Sequence, residues 1–290
     1  MLKLDPTEQR ALEARLSAGV FEHRRVPHAR FSVKGEGVVA TLYVSGKLVV
    51  QGSDAEAFAQ RFLGRGGAAP GASGTRAPGD LVPAGRVVVG SDEAGKGDYF
   101  GPLVVCALRL PAEQREGVAR SEVTDSKLLT DDKVLRLAPV LRKTFACGVR
   151  VLAPLAYNQL HAQVKNLNPM LADLHAQAIR EVAREGDVVL VDKFADEKLV
   201  ASRLAGLPID LIQRTRAERD PAVAAASVVA RAEFLISLRE LSAEFAVDLH
   251  KGAGAQTDAA AREFVRVNGF DALASVAKTH FKNTAKIRRR

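Results

Sequence analysis

The chain has 290 residues, 47% of them hydrophobic, with 42 Lys and Arg against 34 Asp and Glu and two cysteines. That length buries a sizeable core unaided, which removes the need for a disulfide scaffold, and no apolar run approaches the length of a membrane span. Cys106 and Cys147 lie in apolar surroundings, so the expectation is a reduced, cytoplasmic protein without a signal peptide.

Asp5-Pro6-Thr7-Glu8 supplies an N-cap, a proline suited to the first helical position and an acid in the first turn, and predicts a helix with Leu12 and Leu16 on one side. Residues 31–34, 38–44 and 48–50 read as strands separated by Gly35-Glu36-Gly37 and Ser45-Gly46-Lys47, hairpin-type turns that predict a three-stranded meander. Ser53-Asp54-Ala55-Glu56 is a second capping box and opens a helix with Phe58 and Phe62 one turn apart. Residues 1–64 are therefore a small α+β domain. Residues 65–85, dominated by Gly, Ala, Pro and Ser without an apolar period, read as a flexible linker, and residues 86–290 as the large domain.

In the large domain, residues 86–91 predict a strand, a glycine-rich turn reverses the chain, and residues 103–110 return as its antiparallel partner. Residues 146–152 read as a third strand and 130–143 as a helix through Val134, Leu137 and Leu141. Asn168-Pro169 starts a helix with Leu171, Leu174, Ala178 and Val182 on one face, ending at Gly186. The run Val188-Val189-Leu190-Val191 then reads as a buried parallel strand delivering Asp192 at its carboxyl end. Residues 207–213 predict another short strand and 221–245 a long alanine-rich helix. The large domain belongs to the α/β class, a mixed sheet flanked by helices.

The chemistry centres on Asp92 and Glu93, adjacent acids where an apolar strand meets the turn Gly95-Lys96-Gly97. Carboxylates are hard donors for Mg²⁺ or Mn²⁺, and a charge at a strand end calls for solvent, a counter-ion or a metal. Neighbouring strand residues ordinarily face opposite sides; the glycines are expected to break that alternation, so that Asp92, Glu93 and Asp192 converge if their strands are adjacent. Two metal ions in such a cluster would suit an in-line phosphoryl displacement. Gly90 to Gly97 also approximates a phosphate-binding P-loop, but Gly97 stands where a Mg²⁺-binding hydroxyl belongs and two acids occupy the phosphate cradle. Glu218 and Asp220, just before Pro221, are candidates for a fourth acid or for capping the long helix. Residues 86–277 carry 25 basic and 26 acidic residues, whereas residues 278–290 carry six basic residues and no acid, a basic tail compatible with nucleic acid. A non-catalytic nucleic-acid binder, with the acids serving as caps and salt bridges, is the competing class, and a phosphoryl-transfer enzyme that cuts DNA is a further alternative.

Asp92-Glu93-Ala94-Gly95-Lys96-Gly97-Asp98-Tyr99-Phe100-Gly101-Pro102-Leu103-Val104 resembles the first motif of type 2 ribonucleases H, and its Gly-Asp-Tyr-Phe-Gly-Pro portion points to bacterial ribonuclease HIII. Asp125-Ser126-Lys127-Leu128-Leu129, Val191-Asp192-Lys193-Phe194-Ala195 and Ala222-Val223-Ala224-Ala225-Ala226-Ser227 match further family segments in order. Gly46-Lys47-Leu48-Val49-Val50-Gln51-Gly52 is similar to the TATA-binding-protein-like domain that precedes the catalytic domain in that family. The resemblance implies a ribonuclease H-like catalytic domain and an endonuclease that hydrolyses the RNA strand of RNA/DNA hybrids with Mg²⁺ or Mn²⁺, leaving 5′-phosphate and 3′-hydroxyl ends. It implies Asp92, Glu93 and Asp192 as metal ligands and Glu218, or Asp220 two residues on, as the fourth catalytic acid. Gly95, Lys96 and Gly97, where backbone groups can meet the ribose 2′-hydroxyl, and Ser126 and Lys127 are its implied substrate-binding residues. The small domain would add hybrid-binding surface through Arg24, Arg25, Lys34 and Lys47. Without a large exposed apolar stripe, a monomer is expected.

Overall fold

The computed structural model describes residues 2–3, 9, 12–13, 16, 22–24, 26–35, 38–52, 62, 82–83, 85–125 and 129–288. The chain divides into two compact units, Met1–Thr75 and Arg76–Arg290. The division falls within the expected linker, which apart from residues 82, 83 and 85 lies outside the described residues.

In the first unit, β1 (Leu2–Lys3), β2 (Glu22–Arg24), β3 (Ala29–Gly35), β4 (Val38–Tyr43) and β5 (Lys47–Gly52) form an antiparallel sheet in the order β1-β5-β4-β3-β2. The meander β3-β4-β5 is the one the turn sequences predict. Its two edge strands are too short for an alternating pattern to register in sequence. Val33, Ala40, Leu42 and Leu48 face one side, where they pack with the helical residues Leu12, Leu16 and Phe62. Lys34 and Gln51, at positions of the opposite parity, are exposed on the other. Phe58 and the side chains of Arg24 and Arg25 lie outside the described residues.

In the second unit, β6 (Val88–Ala94), β7 (Leu103–Leu110), β8 (Ala146–Leu152), β9 (Val188–Asp192) and β10 (Asp210–Arg214) make a mixed sheet in the order β10-β9-β6-β7-β8. β6, β7 and β8 run antiparallel in sequence, while β9 lies parallel to both β6 and β10. The helices are α1 (Arg115–Ala119), α2 (Asp131–Thr144), α3 (Pro154–Val164), α4 (Leu167–Val182), α5 (Glu197–Arg203), α6 (Pro221–Glu244), α7 (Ala255–Asn268) and α8 (Lys282–Arg288). One sheet face packs against α6, the other against α4. Because α2 and α1 cover α6 from other sides, its sequence is apolar nearly all round. It is the one described helix long and apolar enough to cross a membrane, and 67% of that stretch is buried inside the fold. A Cβ at Gly90 would stand 2.2 Å from the Ala222 carbonyl carbon, so glycine is what lets α6 begin directly against β6.

β7 and β8 have the bounds read from sequence. β6 departs from its expected end: its ladder with β7 continues through Asp92, Glu93 and Ala94, which pair with Cys106, Val105 and Val104. The acids are therefore part of the strand. α4 stops at Val182, ahead of the expected Gly186, which belongs to the turn into β9. β10 begins three residues later than read from sequence. α1, α3, α5, α7 and α8 were not foreseen. The turn after β6 returns as β7 with no helix behind it, which removes the P-loop alternative, since that site needs a helix N-terminus at the phosphates.

Candidate metal centre and ribose-facing turn

Strict alternation holds through the acid pair, contrary to expectation. Val88 belongs to the core under α6 and Gly90 abuts Ala222, so Asp92, of the same parity, faces α6, where Ser227 hydrogen-bonds its carboxylate. Val89 and Ser91 face α4, and Glu93 with them. The two carboxylates straddle the end of the sheet because the regular β6–β7 ladder keeps the pleat intact up to the turn.

Asp192 joins Asp92. The parallel register pairs Ser91 with Val191, which sets Asp92 and Asp192 side by side one position further on, and the burial of Val188 and Leu190 under α6 assigns Asp192 to that same face. Asp192 Oδ1 accepts from the Ala217 amide at 3.2 Å, which ties the short turn Ala217–Arg219 to the end of β9. Half-buried Glu218 sits on that turn. Asp220 is committed elsewhere: it is buried, its carboxylate takes both arms of Arg115 at 3.2 and 2.8 Å, and Oδ1 caps α6 through the Ala222 amide at 2.9 Å. The capping role weighed for this pair of acids thus belongs to Asp220.

On the opposite face, His175 of α4 is fully buried. Its Nδ1 meets Ser91 Oγ at 2.8 Å, Ser91 donates to the Cys106 carbonyl at 3.0 Å, and Nε2 faces Glu93 Oε2 at 3.3 Å. Lys96 donates to Glu93 Oε1 at 3.2 Å and lies 5.8 Å from the Phe194 ring centroid, while Phe194 stacks on His175 at 5.1 Å. These environments drive the two carboxyls apart. Burial and the neighbouring Glu93 charge push the Asp92 pKa up to about 6, against the pull of the Ser227 hydrogen bond. Burial works in the same direction on Glu93, but His175 and Lys96 outweigh it and bring that pKa down to about 2.

Among the described residues no three His, Cys, Asp or Glu side chains converge into a metal-holding group. The donor set nevertheless fits a hard divalent cation. Asp92 and Asp192 are oxygen donors on one face of adjacent strands, and Asp92 is a half-buried carboxylate whose ionised form is disfavoured by desolvation and by the neighbouring Glu93 charge.

The turn beyond β6 has two kinds of glycine. Gly95 has φ +85°, and a Cβ there would lie 2.1 Å from the Pro102 carbonyl oxygen, so the fold itself demands it. Gly97 has neither constraint: its Cβ would meet no atom within 4 Å. Ser126 and Lys127 lie outside the described residues. Sequence reasoning missed His175 and Ser227 as neighbours of the acids. A histidine among apolar helix positions and a serine closing an alanine run were the available signals.

A family profile described as "Ribonuclease HII" matches residues 89–284, and one described as "Domain of unknown function (DUF3378)" matches residues 1–71. Ribonuclease HIII of Chlamydia pneumoniae is 38% identical, covering 97% of this chain and 95% of its own. The chain belongs to the ribonuclease HIII family. Among solved structures, Bst-RNase HIII in complex with Mn²⁺ is 32% identical with a TM-score of 0.67, covering 100% of this chain and 99% of its own. Aquifex aeolicus RNase H3 is 27% identical with a TM-score of 0.55, covering 96% and 98%. Family membership makes the chain a ribonuclease H, with the ribonuclease H-like mixed sheet and the small N-terminal sheet domain expected from its motifs.

Proposed function

We propose that the chain hydrolyses the RNA strand of RNA/DNA hybrids in the cytoplasm, as a monomer, through two divalent ions, Mg²⁺ or Mn²⁺, leaving 5′-phosphate and 3′-hydroxyl ends. The observation that carries this reading is the in-register placement of Asp92 and Asp192 on one face of parallel neighbouring strands. Asp92 and Asp192 would hold the ions from the α6 face, Glu93 would join them only by reaching round the strand end from its pairing with His175 and Lys96, and Glu218 would complete the catalytic acids. Bound there, the ions would activate a water and stabilise the leaving oxygen of the phosphodiester. Asp92 is the acid most dependent on them, because burial disfavours its ionised form without the offset that His175 and Lys96 give Glu93.

The rest of the work falls to the chain. Gly97 leaves open space above the turn, so the backbone of Gly95, Lys96 and Gly97 can approach the sugar and offer both donors and acceptors to a 2′-hydroxyl, the group that distinguishes RNA from DNA. Lys96 is 40% exposed and would offer its charge to the backbone phosphates. Ser126 and Lys127 would add contacts to the substrate strand. In the first unit the exposed Lys34 and Lys47 supply charge for a second hold on the hybrid.

Asp92→Asn tests the reading. It preserves shape and removes a ligand charge, so cleavage should fall by roughly a hundredfold or more while hybrid binding, read by gel shift, survives. Full activity in that variant would refute the assignment.

A further inference from the structure

Lys278 opens the basic tail in sequence, yet it is fully buried. Its ammonium donates to the Asp98 carbonyl at 2.9 Å and the Gly101 carbonyl at 2.7 Å, and its backbone amide donates to the Tyr99 carbonyl at 2.8 Å. Among the described residues no carboxylate pairs with it; the Tyr157 ring centroid lies 5.7 Å from Nζ. Burial disfavours its charged form, against the pull of the nearby Asp98 carboxylate, so a nonpolar side chain would serve ordinary packing better. What this one secures is the carbonyls of a single loop.

That loop is continuous with the ribose-facing turn. Asp98 directly follows Gly97, and its amide bonds the Gly95 carbonyl at 3.3 Å to close the turn. The Asp98 carboxylate accepts the Gly252 amide at 2.6 Å, and Gly101 donates to the Val276 carbonyl at 2.9 Å. Asn158 of α3 holds the Lys278 segment from behind: its Nδ2 donates to the carbonyls of Ala274 and Ala277 at 3.0 and 2.8 Å, and its Oδ1 accepts the Thr279 amide at 3.0 Å. The chain of support runs from α3 through residues 274–279 to Asp98 and the turn.

We propose that Lys278 is a positioning residue for ribonucleotide selection, fixing the Gly95–Asp98 turn at the height from which its backbone meets the 2′-hydroxyl. This rests on the reading of that turn as the ribose-facing element. Lys278→Met removes both ammonium hydrogen bonds at similar length, and Lys278→Gln retains a donor. Steady-state cleavage of an RNA/DNA hybrid should show kcat/KM about tenfold or more lower for the Met variant, with weaker discrimination against a strand carrying 2′-deoxy sugars around the cut, and partial recovery in the Gln variant. Amide hydrogen exchange at residues 95–101 should quicken while β6–β7 and calorimetric Mn²⁺ affinity keep their wild-type values. Wild-type kcat/KM and discrimination in the Met variant would overturn the proposal, as would a loss matched by weaker Mn²⁺ binding and faster exchange throughout the sheet. If the Met variant does not fold, the Gln variant decides by the same readouts. A wild-type protein that cuts no hybrid would refute the nuclease reading instead, and the exchange pattern would still decide what Lys278 holds.

Discussion

Asp92 and Glu93 are neighbours in sequence with opposite surroundings, and the contrast has a measurable consequence. A carboxyl whose folded pKa is raised, as for Asp92 from 3.8 to about 6, binds its proton more tightly in the native chain. Metal-free stability therefore falls as pH rises from about 4 to about 6, and the penalty is complete above that. Asp92→Asn should accordingly stabilise the metal-free protein at pH 7.5, by up to about 3 kcal/mol, with the gain vanishing near pH 4; thermal unfolding in EDTA across that range reads it directly. No gain at pH 7.5 would show that the carboxylate is not penalised as its burial implies. Glu93 acts in the other sense: its lowered pKa adds stability that is present above about pH 4.5 and lost as pH falls through about 2. The acids were legible in sequence because a charge ending an apolar strand demands a reason. Their separation onto two faces was not, since it depends on how far the β6–β7 ladder runs before the turn. His175, Ser227 and Lys278 were equally hidden, because each is brought to its place by a segment more than 70 residues away along the chain.

At the scale of elements, Asp220 has a structural role, and the fourth-acid role proposed for Glu218 separates from it by experiment. Asp220 caps α6 and pairs with Arg115 in a buried setting, so Asp220→Ala should cost about 3 kcal/mol or more and lower the Tm whether or not metal is present. Glu218→Gln, which keeps the side chain's shape, should cost less stability than Asp220→Ala while reducing cleavage sharply. Chemical denaturation and a cleavage assay on both variants separate the roles, and the reverse pattern would exchange them. Strands β7 and β8 were legible to the residue because their apolar runs are broken only by Arg109 in the first and by Gly148 and Arg150 in the second. Helices α3, α5 and α7 were not: α3 and α7 carry polar residues through their length, and α5 has only seven residues for a period to show itself.

For the whole molecule, the Gly, Ala, Pro and Ser tract of residues 65–85 is the ground in the sequence for expecting a linker, since such a tract cannot bury enough surface to offset its entropy, and the boundary between the two compact units falls within it. Removing the first unit should therefore spare chemistry and weaken attachment: residues 76–290 should retain kcat within about threefold, with KM for the hybrid raised roughly tenfold and a shallower dependence on salt. A collapse of kcat at saturating hybrid would instead give the small unit a part in the reaction. The central claim, that strand-end acids hold metal against the RNA strand of a hybrid, is tested most directly by incubating wild-type protein with an end-labelled RNA/DNA hybrid in Mg²⁺, Mn²⁺ or EDTA, beside matched DNA and RNA duplexes. Products carrying 5′-phosphate ends, from the hybrid's RNA strand and in the metal lanes alone, are the expected result. Cleavage that persists in EDTA, or a hybrid left intact with either metal, would contradict it.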